Sequence, residues 1–135
     1  MAITITATAK APLGTVWNAW TTPADIMKWN AASDDWHTPH AEVDLRVGGQ
    51  FLSRMEAKDG SFGFDFSGTY TEVIPHKRIA FAMEDGRTVS IAFEPVDGGV
   101  RIVETFDPET EHSLDMQEQG WQAILDNFVR HVEAE

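Results

Sequence analysis

The stretch SLDMQEQGWQAILDNFVRHV, residues 113–132, decides the fold. Its apolar positions Leu114, Trp121, Ile124, Leu125, Phe128 and Val132 recur at offsets of three, four and seven residues, which puts them on one face of an α-helix. No other segment holds that period for so long. A helix with so long an apolar face must cover a surface. Upstream, the sequence supplies mainly short segments of period two, the patterning of strands. The expectation is a sheet wrapped around one long helix, with Ser113 as its N-cap. Gly120 interrupts the helix at a cost of roughly 1 kcal/mol relative to alanine, so it calls for a reason. Close approach of neighbouring helices or room left for a ligand would supply one.

Working back from that helix, Val100, Ile102 and Phe106 alternate in phase with Glu104, and Val89, Ile91 and Phe93 form another alternating run. Ile79, Phe81 and Met83 make a third. The clearest alternation sets Phe62, Phe64, Phe66, Gly68 and Tyr70 against Asp65, Ser67, Thr69 and Thr71. Phe51, Ser53 and Met55 share one face of a further strand, with Leu52, Arg54 and Glu56 on the other. Val43, Leu45 and Val47 form a half-buried strand before the Gly48-Gly49 turn, with Pro39 as a breaker ahead of it. Asp59-Gly60, Asp85-Gly86 and Asp97-Gly98-Gly99 are hairpin signals, so the strands are read as an antiparallel meander.

At the start, Ile3 and Ile5 alternate with Thr4 and Thr6 in a first strand, which Pro12 ends. Val16, Trp17 and Trp20 mark a short helix running to about Trp20. Thr22-Pro23 opens a second, with Thr22 as N-cap, Pro23 in the first turn, and Ile26, Met27 and Trp29 on its apolar side. The fold class is therefore α+β: a helix-grip fold, a curved antiparallel sheet around a long C-terminal helix, with two short helices after the first strand. Residues 1–135 form a single domain.

At 135 residues and with 42% hydrophobic positions, the chain builds one core without cross-links. It has no cysteine, which removes disulfides and thiolate chemistry. Twenty-two acids against ten bases give a formal charge of −12, which repels phosphate backbones and anionic lipid surfaces. Nucleic acid and membrane are not expected partners. MAITITATAK reads as a strand and not a signal peptide, and no apolar run spans a bilayer, so a cytoplasmic location is expected.

Few residues carry chemistry. Glu104, in phase with Ile102 and Phe106, places a carboxyl on an apolar face, where a raised pKa or a partner such as Arg54 or His37 is required. His37 and His40 are three apart around Pro39 and so point to opposite faces of a strand, which argues against a metal pair. There is no Gly-x-Ser-x-Gly elbow and no glycine-rich phosphate loop. No metal, cofactor or catalytic residue is assigned.

The blocks APLGTVWNAWTTPADIMKWN, DLRVGGQF, GTYTEVIPHKRIAF, VSIAFEPVDGG and GWQAILDNFVRHVE resemble the activator-of-heat-shock-protein-90-ATPase homologue-like family, within the SRPBCC (START/Bet v 1-like) superfamily. The match is carried by Trp17, Thr21, Pro23, Trp29, Gly48, Gly49, Phe51, Gly68, Pro75, Arg78 and Gly120-Trp121. Members of that superfamily bind lipids, hormones, polyketides and aromatic compounds, so the resemblance implies a cavity between the sheet and the long helix. The eukaryotic co-chaperone of the family carries an additional N-terminal domain with no counterpart in this sequence, so the expected comparison is with stand-alone bacterial members.

The leading expectation is a small apolar or aromatic ligand. Trp121, Ile124 and Leu125 would form the helix wall of its cavity, and Phe51, Phe64, Phe66, Phe81 and Met83 the sheet side. His37 and Glu104 would be polar anchors, with Trp29 and Trp36 near the mouth. Two alternatives from other classes are an acidic interaction domain with a chaperone partner and an enzyme acting on a hydrophobic substrate in the same cavity. Exposed strand edges allow a monomer or a homodimer.

Overall fold

In a computed structural model, which describes residues 2–134, the chain runs as β1 (Ile3–Ala9), α1 (Leu13–Thr21), α2 (Pro23–Trp29), β2 (Trp36–Val43), β3 (Gln50–Ala57), β4 (Gly63–Ile74), β5 (Arg78–Ala82), β6 (Thr88–Val96), β7 (Gly99–Phe106) and α3 (Leu114–Glu133). The strands form one antiparallel sheet in the order β1-β7-β6-β5-β4-β3-β2. After β1 the two short helices carry the chain from one edge of the sheet to the other, and the meander then returns it to β1. The sheet curls into a half-barrel, and α3 lies against β1 and the two short helices.

The turns follow their residues. Gly60, Gly86 and Gly98 adopt φ near +80° to +90° at the hairpin tips, a region that costs glycine little. Asp59 and Asp85 accept hydrogen bonds from the amides of Ser61 and Arg87 at 2.8 and 3.1 Å, locking two of these turns. Gly99 answers a different need. A Cβ there would lie 2.0 Å from the Ala9 carbonyl oxygen, so β1 and β7 pair this closely only because residue 99 has no side chain.

The core gathers the inward positions of the sheet with the buried face of α3. Phe106, Phe128, Ile79, Ile91, Ile102 and Leu125 are its largest fully buried side chains. Ser113 caps α3 as expected, accepting from the Met116 amide at 3.1 Å. Among the described residues, no helix is long and apolar enough to cross a membrane.

Four local expectations differ from the structure. The strand expected at Val43, Leu45 and Val47 lies earlier, at Trp36–Val43. Leu45 and Val47 fall in the following loop, where Val47 is 63% exposed. Pro39 does not break that strand because β2 is an edge strand and a register shift between His37 and His40 absorbs the missing donor. Thr22 begins α2 without a side-chain cap, since its backbone, not its hydroxyl, makes the turn. Gly120 is not a close-packing site, because a Cβ there would have no atom within 4 Å.

Candidate functional site

Helix α3 buries Leu125, Phe128 and Val132 completely, whereas Trp121, one turn before Leu125 on the same face, and Ile124, about 100° around the axis from Leu125, remain half-buried. The helix packs on the β1 side of the curled sheet, so these two side chains face strands β3 to β5 across a gap. That gap is a cavity of about 370 Å³. Alternation on the facing strands supplies its floor: Phe51, Ser53 and Met55 from β3, Phe64, Phe66 and Tyr70 from β4, and Ile79 and Phe81 from β5, with Met83 just beyond. Trp20, Ile26, Trp29 and Asn30 close it from the short helices, and Val43 from the edge strand.

The walls are rings held by rings. Phe51 packs against Phe66, Tyr70 and Phe81 with centroids 5.6, 5.5 and 4.6 Å apart. Trp121 lies flat on Phe106 at 4.0 Å and meets Phe66 edge-on at 6.0 Å. Trp29 donates its indole N–H to the Ala19 carbonyl at 2.9 Å, so its polar edge is bound internally and its ring is left for the cavity. Burial, with the nearby Asp44 charge adding to it, pushes the Tyr70 phenol up to about 12, so its oxygen stays protonated.

Glu104 is the exception on this apolar surface. Along β7 it stands between Ile102 and Phe106, and across the sheet between Ile5 and Ile91, all four of them buried. The residue is 7% exposed and lines the cavity. Among the described residues, its carboxyl has no hydrogen-bond or ion-pair partner. Burial alone pushes it up to about 8, so it is largely a neutral acid at pH 7.

The partners expected for it are engaged elsewhere. Arg54 projects from the opposite face of β3 to Glu56 and Asp65 at 2.9 and 3.3 Å. His37 sits opposite Glu56, 3.9 Å from its carboxylate. Arg87, which borders the cavity, donates to Asp85 at 2.7 Å.

Of the candidate ligand-contacting residues, Trp29, Phe51, Phe64, Phe66, Phe81, Met83, Glu104, Trp121 and Ile124 line this one cavity, and Trp36, His37 and Leu125 do not. Trp36 packs at the end of the sheet against Phe62 and Phe64, with centroids 5.9 and 6.2 Å away. His37 is turned outward by the β2 bulge, and Leu125 points into the solid core. Ser53, Met55 and Tyr70 also line the cavity, and strand period two, applied to the faces of Phe51 and Phe66, identifies them. Arg87 and Glu109 lie at one end of the sheet, where the β5–β6 turn meets the loop before α3. No strand pattern reaches such loop residues. The loop itself is tied to α3 by the buried Gln117 side chain, which accepts from the Glu109 amide at 2.8 Å and donates to the Glu109 and His112 carbonyls.

Comparison with known proteins places this arrangement. The profile of the family described as "Activator of Hsp90 ATPase homolog 1-like protein" matches residues 10–133. The solution structure of an AHSA1-like protein from Aeromonas hydrophila is 52% identical, with a TM-score of 0.93 over 99% of this chain and 93% of that one. A protein from Cytophaga hutchinsonii is 45% identical, with a TM-score of 0.85 over 98% and 92% of the two chains. One from Nitrosomonas europaea, 23% identical, shares the fold with a TM-score of 0.86 over 99% and 95%. A search of curated proteins returns no match. The chain belongs to the Activator of Hsp90 ATPase homolog 1-like family.

Proposed function

We propose that this protein binds a small, largely apolar molecule between its curled sheet and α3. One observation carries the reading: a cavity of about 370 Å³ is walled by aromatic and aliphatic side chains yet holds a buried carboxyl that has no partner among the described residues. Interiors are normally packed to crystal-like density, and voids larger than a water molecule are few. A pocket of this size, mostly apolar with a few convergent polar groups, has the character of a ligand site. A folded chain that keeps an unpaired carboxyl there forgoes stability, which fits a group retained for something that arrives.

The test uses prodan, an uncharged naphthalene ketone whose fluorescence shifts to the blue in apolar surroundings. Saturable one-to-one binding is expected. Ile124→Trp, which fills the cavity from the α3 side, should weaken it by at least about tenfold while the fold is retained. Binding that is unsaturable, or indifferent to that substitution, would argue against the cavity as the site.

A further inference from the structure

Within this reading of the cavity, the structure also bears on the chemical class of the occupant. Glu104 is the buried acid of the site, flanked by Ile5, Ile91, Ile102 and Phe106, and among the described residues no cation reaches it. Arg87 is held at the rim by Asp85, and Arg54 lies on the far side of the sheet. A carboxyl so placed has hydrogen-bonding capacity that only an occupant of the cavity can use. Its strongest available partner is a positively charged N–H donor, since charge-assisted hydrogen bonds are shorter and roughly twice as strong as neutral ones.

Two further features favour a cation. The walls are aromatic, with Trp121 stacked on Phe106 two residues along from Glu104, and ring faces attract cations that have left water. The chain carries a formal charge of −12, which draws cations toward it and repels anions. We propose that the occupant is a lipophilic amine: an apolar, ring-bearing body lying against Phe51, Phe66 and Trp121, with an ammonium group hydrogen-bonded to the Glu104 carboxyl, which releases its proton to solvent as the cation seats.

Phenylbutylamine, phenylbutanol and phenylbutyrate test this, because they share one body and differ only in the charge of the head group. Calorimetric titration at neutral pH should give the amine about tenfold or greater preference over the alcohol, with the carboxylate weakest. In Glu104→Gln the amine should fall to the affinity of the alcohol, while the alcohol itself changes by no more than about threefold. Glu104→Leu, with the fold checked by amide NMR, should give the same collapse.

An alcohol that binds the parent as tightly as the amine, or an amine preference that survives both substitutions, overturns the assignment and leaves the apolar site standing. Failure of all three compounds to bind overturns the cavity reading together with it.

Discussion

The indole of Trp121 lies parallel to the ring of Phe106, with centroids 4.0 Å apart and planes 7° from parallel. This stack joins α3 to the strand that carries Glu104, and it fixes how far the helix stands from the rest of the sheet. Phe106 is 1% exposed and belongs to the core, whereas Trp121 is half-buried and also borders the cavity. One ring pair thus serves both the hydrophobic core and the wall of the site.

Truncating either ring should therefore be costly. Phe106→Ala and Trp121→Ala are each expected to lower unfolding free energy by roughly 3 kcal/mol, with the larger loss at the fully buried Phe106. A double-mutant cycle in urea should give a coupling of about 1 kcal/mol between them. Additive losses would mean that the rings do not pair in solution.

Glu104 makes stability depend on pH with a definite sign. Its carboxyl is pushed up to about 8 in the folded chain from an ordinary 4.5. Between those values the folded state keeps a proton that the unfolded state has released. The neutral acid therefore carries no ionisation penalty below the unfolded value, and the penalty grows as pH climbs toward 8. The growth is about 1.4 kcal/mol for each pH unit. Glu104→Gln should remove it, so the stability advantage of that variant should widen steadily between about pH 5.5 and 7.5. A constant difference over that range would place the carboxyl in water.

Gly120 offers a gain. It lies inside α3, and an added Cβ would touch nothing within 4 Å. Gly120→Ala should raise unfolding free energy by roughly 0.5–1 kcal/mol through backbone entropy alone. Calorimetric unfolding would register this as a higher midpoint, and a lower one would mean that the position is crowded.

Gly99 predicts the opposite. A Cβ there would stand 2.0 Å from the Ala9 carbonyl oxygen, a backbone atom that cannot swing aside. Gly99→Ala should cost roughly 2 kcal/mol or more. It should also raise amide exchange where Ala9 pairs with Val100, leaving the β3–β4 hairpin protected.

Much of this was legible in the sequence because helix and strand periods differ so sharply. The period of three and four located α3, and the period of two put Phe51, Phe66, Phe81 and Glu104 on one concave surface. The same arithmetic bears on the partner expected for Glu104: Arg54 falls on the face opposite Ser53 and Met55, out of reach of anything inside. The β2 region misled because edge position, which makes Pro39 tolerable, is a property of the whole sheet and not of local residues. The bulge beside it turns His37 outward, and a one-residue slip of that kind leaves no mark in the alternation. Leu125 and Ile124 are neighbours in sequence, yet one fills the core and the other borders the cavity. The exact rotation of α3 about its axis separates them, and the apolar stripe is too broad to fix it.

Amide NMR of the uniformly labelled protein titrated with prodan tests the central claim most directly. Binding between the sheet and α3 predicts shift changes concentrated at Trp121 and Ile124 on the helix and at Phe66, Phe81 and Glu104 on the facing strands, with the outward positions Glu42, Ser67 and Glu94 unmoved. Changes confined to those outward positions, or none at saturating probe, would contradict a ligand-binding interior.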